Sequence, residues 1–177
     1  MHVTLNEPVE RVAIIGCGGS GKTTVGRRIA DALGTSITHL DAVYYDDEWN
    51  KLPQDKFAQL QHELVAADRW VIDGNYAGTL PIRLHRATHV VFLDLPATTC
   101  LWGILQRRWR YRGGQHTDGV YDTINWGFIK YVWGYRKSMA PRVRALLAEH
   151  SADARILIAK SRRQANRIAD ELERAAR

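Results

Sequence analysis

Residues 12–24 read VAIIGCGGSGKTT, and their reading decides the fold. An apolar, β-branched run stops at Gly16. Glycines at 16, 18, 19 and 21 then fill four of six positions, and Lys22, Thr23 and Thr24 follow. A turn so poor in side chains lets a large anion approach its backbone N–H groups. Residues 16–23, GCGGSGKT, fit G-x-x-x-x-G-K-[ST]. In that pattern the loop amides (Gly16, Gly18, Gly19, Ser20, Gly21) wrap phosphates. The lysine reaches the β- and γ-phosphates, and the hydroxyl ligates Mg²⁺. The competing reading is a simple tight bend. Cys17 reads as a small residue that fits the turn rather than as a catalytic thiol.

The pattern requires a strand before it and a helix after it. Arg11–Ile15 reads as a buried strand. Lys22–Leu33 places Val25, Ile29, Ala32 and Leu33 on one face and stops at Gly34, which predicts a helix. Further strands are predicted at Ser36–Leu40, Trp70–Ile72, His89–Leu93 and Arg155–Ala159. Helices are predicted at Gln54–Ala67, Thr98–Tyr111, residues 120–148 and Arg163–Arg174. Residues 42–52 read as a polar, aromatic loop, residues 75–88 as a short helix or irregular segment, and Pro141 as a break or a new first turn. Strands alternating with helices predict one doubly wound α/β domain over 1–177, a five-stranded parallel sheet covered on both faces. Ligands in such folds lie beyond the carboxyl ends of the strands. Those ends carry Gly16, Asp41, Asp73, Asp94 and the loop from Lys160 to Arg163.

The chain has 177 residues, 45% of them hydrophobic, which suits one globular domain. No apolar run approaches the roughly 20 residues of a membrane span. The N-terminal segment has no basic stretch leading an apolar one, so no signal peptide is expected. Cys17 and Cys100 make no disulfide framework, and a reduced, cytoplasmic protein is expected. The seven histidines show no ligand spacing, so no zinc site is expected. Net charge is +6, and residues 101–144 hold nine Arg or Lys against Asp118 and Asp122. That concentration implies an anionic ligand (nucleotide, phosphate or nucleic acid) or else a solvated basic face.

From Val12 to Arg142 the chain resembles the adenylate-kinase-like branch of P-loop kinases, and most of all the DNA topology modulation protein family. The resemblance rests on GCGGSGKTTVGRRIADALG at 16–34, HLDAVYY at 39–45, VIDGNY at 71–76, VFLDLP at 91–96, RRWRYR at 107–112 and YRKSMAPRV at 135–143. It implies phosphoryl transfer from ATP with Mg²⁺, an acceptor side over about 41–88 and a short arginine-rich lid over about 107–122. By position it implies that Asp73 faces the Mg²⁺ water shell, that Arg83 meets an acceptor phosphate, and that Arg107 and Arg136 contact the transferring phosphates. It also implies that Arg162, in the loop 160–163, helps to hold the base. Three positions depart from adenylate kinase: Gly103 and Tyr131 stand where arginines are expected, and Asp41 where a hydroxyl residue is usual.

The candidate site is therefore Lys22, Thr23, Thr24, Asp41, Asp73, Arg83, Arg107, Arg136 and Arg162, with Trp49 stacking on an acceptor ring or packing locally. Asp41 has a competing reading as a cap or surface acid, and Asp94 competes with Asp73 for the metal role. Of the lid arginines, about two are expected to face phosphate. Two classes of function follow. The leading one is an ATP-dependent kinase of a small acceptor, either a nucleotide or a hydroxyl metabolite. The other is a nucleotide-gated nucleic-acid-binding protein. Oligomeric state is not legible.

Overall fold

The computed structural model describes residues 8–45, 50–110 and 126–177. Trp49 and the expected lid from residue 111 to 122 lie outside them. Among the described residues the chain runs β1 (Arg11–Gly16), α1 (Lys22–Leu33), β2 (Ile37–His39), α2 (Leu40–Tyr44), α3 (Gln54–Val65), β3 (Trp70–Asp73), α4 (Leu80–Leu84), β4 (His89–Leu93), α5 (Ala97–Arg110), α6 (Trp126–His150), β5 (Arg155–Ala159) and α7 (Arg162–Ala175). The five strands pair in parallel in the order β2-β3-β1-β4-β5. No described helix is long and apolar enough to cross a membrane.

The central strand β1 has neighbours on both sides and helices on both faces. Its apolar residues Val12 to Ile15 are accordingly all fully buried. Strands buried this way read as continuous apolar runs rather than alternating ones. Ile14 faces α1, since a Cβ built on Gly26 of α1 would lie 3.0 Å from the Ile14 side chain. Ile14 pairs with Val91, so the next residue, Phe92, points to the opposite face. There the Arg144 guanidinium of α6 lies 5.9 Å from the Phe92 ring centre. Helices α1 and α6 therefore cover opposite faces, and α7 packs beside α1. Arg28 of α1 joins those two helices through Glu173 at 2.7 Å and Asp170 at 2.5 Å.

Local signals set the helix ends. Gly34 takes φ +65° and returns its N–H to the end of α1. Ser161 caps α7 by accepting from the Gln164 N–H at 3.2 Å. Two expectations need correction. Residues 40–44 form a short helix, where the end of a strand (to Leu40) and the start of a loop (from residue 42) are expected. Pro141 does not break α6, because both it and Lys137, whose carbonyl it deprives of an intrahelical partner, lie on the exposed face. Water can satisfy that carbonyl.

Helix α6 is fastened to the sheet by charge as well as packing. Asp94, just past β4, is fully buried and accepts from Arg136 Nε at 3.1 Å and from Arg144 Nη2. Losing one member of a buried ion pair costs about 3–5 kcal/mol. Both arginines are nearly half exposed and would recover water, which reduces the loss. Asp94→Ala should therefore lower stability by about 2 kcal/mol, read from the urea midpoint. An unchanged midpoint would mean that the pairs do not fasten the helix.

Candidate active site

The glycine turn leaves β1 and enters α1 as an open cradle. Gly19 and Gly21 take φ of +75° and +95°, in the region that favours glycine. Gly21 occupies the cap position of α1 without any capping side chain, and the first turn holds no acid. The first N–H donors of α1 and the positive end of its dipole are thus left for an anion. Ser20 Oγ is buried and has no hydrogen-bond partner among the described residues. Lys22 Nζ turns back to the Cys17 carbonyl at 3.2 Å. Thr24 is exposed on the same turn. A hydroxyl without a described partner, uncapped helix amides and an ammonium resting on a loop carbonyl together fit a polyphosphate.

Two glycines in the neighbourhood are explained by close approach. A Cβ on Gly19 would lie 2.1 Å from the Cys100 carbonyl oxygen, and one on Gly103 would lie 2.2 Å from the Gly19 carbonyl oxygen. Helix α5 thus lies against the loop's backbone. Gly103, expected as a substituted arginine, has no room for any side chain. Beside it is Arg162, whose Nη1 donates to Gln106 Oε1 at 2.9 Å. The same contact brings Cys17 and Cys100 together. A hydrogen bond between the thiols, and burial, push the Cys17 pKa up, so Cys17 stays a thiol and serves as packing. Arg107 lies half-buried on α5.

Asp73 ends β3 opposite His39 of β2 and Ile14 of β1. Its Oδ2 accepts from the Thr23 hydroxyl at 3.4 Å, and His39 Nδ1 faces the same oxygen at 3.1 Å. A hydroxyl and a carboxylate converging at the mouth of the cradle fit a hard divalent cation. Asp94 turns to α6 instead. Arg136, expected at the phosphates, has its Nε engaged with Asp94.

Arg83 also departs from expectation. It is fully buried, and its Nη1 and Nη2 donate to the carbonyls of Gly74 and Asn75 at 2.6 and 3.0 Å. Burial pushes its pKa down to about 9, against the opposing pull of Asp73. In this position it supports the backbone after β3.

That supported segment contains residues the sequence reading did not single out. Asn75 Oδ1 accepts from the Gly16 N–H at 3.0 Å and from the Tyr135 hydroxyl at 3.2 Å, while its Nδ2 donates to Tyr131 Oη at 3.2 Å. One amide thereby joins the glycine turn, the end of β3 and α6. Tyr76 has φ +29°, which costs a side-chain-bearing residue on the order of 1–3 kcal/mol. Its hydroxyl donates to Asp41 Oδ1 at 2.6 Å. Asp41 is exposed in the first turn of α2, two residues past β2. The available signal for Asn75 and Tyr76 was position, since both fall in the quoted segment 71–76 just past a strand end.

No family model matches the chain. Threonine synthase-like 1 of Mus musculus is 27% identical over 123 residues, which is 61% of this chain and only 16% of that protein's length. Among solved structures, shikimate kinase from Acinetobacter baumannii in complex with shikimate matches with a TM-score of 0.59 at 20% identity, over 93% of this chain and 90% of that one. Shikimate kinase from Aquifex aeolicus matches with a TM-score of 0.51 at 18% identity, over 92% of each chain. The chain has the fold of the P-loop kinases, with the five-stranded parallel sheet expected from the sequence.

Contact between α5 and the glycine turn can be tested with one methyl group. Gly103→Ala must push the helix from the loop, and overpacking of this kind costs about 1–3 kcal/mol. Its thermal midpoint should fall by several degrees. Gly78→Ala, where the added atom meets nothing within 4 Å, should be nearly neutral. Equal behaviour of the two variants would show that the close approach is unimportant.

Proposed function

We propose that the chain is an Mg-ATP-dependent phosphotransferase whose small acceptor presents a hydroxyl group. One observation carries the reading. The cradle with Lys22 and Thr23, the carboxylate of Asp73, and the carboxylate of Asp41 follow β1, β3 and β2, three strands adjacent in one sheet. They lie at its carboxyl edge, where this class of fold holds ligands. The fold supports the reading, and the Acinetobacter baumannii structure holds shikimate, itself a hydroxyl compound. At a finer level, the ordered motifs from 16 to 143 favour the DNA topology modulation branch. Two buried free cysteines suit a reduced, cytoplasmic setting.

The roles follow from charge and reach. Loop amides and the start of α1 hold the phosphates of ATP, and Lys22 leaves the Cys17 carbonyl to neutralise charge on the transferred group. Thr23 would hold Mg²⁺ directly and Asp73 through its water shell. The ion, when bound, neutralises charge on the β- and γ-phosphates. Arg107, half-buried on the helix that rests on the loop, would contact the transferring phosphates, and Arg162 would border the base side. Asp41 receives the proton that an attacking hydroxyl must lose. Arg83, buried under the strand end, leaves the acceptor side without the phosphate-binding arginine that AMP would need.

A second reading, binding of single-stranded nucleic acid, has one observation in its favour. Trp102 and Trp109 of α5 and Trp126 and Trp133 of α6 are exposed at 58%, 88%, 69% and 64%, among basic residues. Exposed aromatics beside cations are stacking platforms. Quenching of tryptophan fluorescence by an oligonucleotide, with steep salt dependence, would support it.

Two variants test the kinase reading. Lys22→Ala should keep its urea midpoint and weaken Mg-ATP binding by about two orders of magnitude or abolish turnover. Unchanged affinity and turnover would sink the phosphate-cradle assignment. Asp41→Asn should lower kcat by about 10²–10⁴ while Mg-ATP affinity stays within about threefold. The assay is ADP release with AMP, adenosine, shikimate, sugars and polyols offered as acceptors. Rapid conversion of AMP together with a silent Asp41→Asn would make the acceptor a phosphate rather than a hydroxyl.

A further inference from the structure

We propose that Tyr76 is a positioning residue that fixes Asp41 so that one carboxylate oxygen, Oδ2, is left to accept the proton of a single acceptor hydroxyl. The inference rests on the reading of Asp41 as the acceptor-side base, and it goes further by naming what aims that base.

Three independent observations converge on Tyr76. First, its hydroxyl donates to Asp41 Oδ1 at 2.6 Å, a length typical of a bond to an ionised carboxylate. Second, it is the sole residue other than glycine with positive φ among the described residues. Glycine would relieve that backbone and asparagine would tolerate it better, yet neither would bring a phenol to Asp41. A bulky side chain held against its backbone preference needs supports, and they are present. Arg83 holds the carbonyls of residues 74 and 75. The Tyr76 carbonyl accepts from the Thr79 N–H at 3.0 Å and from the Thr79 hydroxyl at 3.2 Å. Gln61, fully buried, donates to that hydroxyl at 2.7 Å.

Third, the ring is gripped. Its centre lies 4.8 Å from Phe57 and 5.0 Å from Tyr44. Burial and the Asp41 charge push the Tyr76 pKa up, so the phenol remains a donor throughout the working pH range.

Asp41 needs such a partner. It is exposed, on a five-residue helix, and a free carboxylate there would rotate among several positions. Catalysis rewards a base already held at the angle of attack. With Oδ1 engaged by Tyr76, Oδ2 takes the proton as the acceptor oxygen bonds to the γ-phosphorus of ATP. The bond from that phosphorus to the β–γ bridging oxygen breaks, and ADP leaves with the electron pair. A phosphate acceptor, already ionised, has no such proton to give. The dyad therefore suits an alcohol, presented one hydroxyl at a time.

The test is Tyr76→Phe, which keeps the ring contacts and loses only the hydroxyl. ADP release from Mg-ATP is measured across the acceptor panel and with water alone, together with Mg-ATP affinity and the urea midpoint. The expected result is kcat lower by about 10–100-fold, with acceptor KM and Mg-ATP affinity within about twofold. In an Asp41→Asn background the same change should add nothing to the loss. 3-Fluorotyrosine at position 76, which keeps the donor in place, should restore kcat. Unchanged kcat in Tyr76→Phe would overturn the proposal, as would an equal loss in the Asp41→Asn background or failure of 3-fluorotyrosine to restore activity. If the wild-type chain neither binds Mg-ATP nor releases ADP, the kinase reading itself fails. An active wild type with a silent Tyr76→Phe removes only the dyad.

Discussion

The register of β1 against β3, with Ile14 opposite Asp73, is the constraint on which the rest of the site depends. It puts the Asp73 carboxylate beneath the first turn of α1, within reach of Thr23. A slip of one residue would turn Asp73 to the other face of the sheet. The buried apolar side chains of both strands forbid that slip, because it would also exchange every residue between the two helical layers. Further along the same edge, the Gly74 N–H donates to the Ile14 carbonyl at 3.1 Å and Asn75 takes the Gly16 N–H. Core packing thereby sets the position of the glycine turn without any help from a ligand.

Helix α6 uses this edge as well. It meets the end of β3 through Tyr131 and Tyr135 on Asn75, and the end of β4 through Arg136 and Arg144 on Asp94. Phe128, near its start, lies over the glycine turn, where a Cβ on Gly18 would be 2.7 Å from its ring. The same helix that anchors the domain therefore borders the phosphate cradle, and a disturbance of either anchor would reach the loop through the packing. Part of the positive charge concentrated between residues 101 and 144 serves this anchoring.

That division explains what could be read from the chain and what could not. Strands and helices follow from apolar runs, periodicity and Gly34, all local signals, and β4, α1 and β5 fall on the expected residues. The glycine turn is legible because its chemistry is written in consecutive positions. The arginines are not. Arg136 as a phosphate ligand and Arg136 as a partner of Asp94 look alike until the burial of Asp94 is known, and Arg83 is similarly ambiguous until its burial places it under two carbonyls. Gly103 reads as a lost side chain in sequence and as a helix–loop contact in space. Pro141 looks like a helix break in sequence, yet α6 continues through it, with the carbonyl it deprives of a partner on the exposed face.

The two carboxylates at neighbouring strand ends show how environment divides labour between like groups. Asp73 is buried, and one of its oxygens is shared by Thr23 and faced by His39. Under the proposed reading, a carboxylate held this tightly would fix a cation's surroundings, since its charge is already directed inward at the cradle. Asp41 is exposed and, among the described residues, held at one oxygen, by a phenol from the next strand's end. A carboxylate held at one oxygen keeps the other free for a proton. Both arrangements hang from the segment 73–76, which Arg83 supports from within the core. That segment is therefore the one place where a change in the fold would misalign the phosphate side and the acceptor side together.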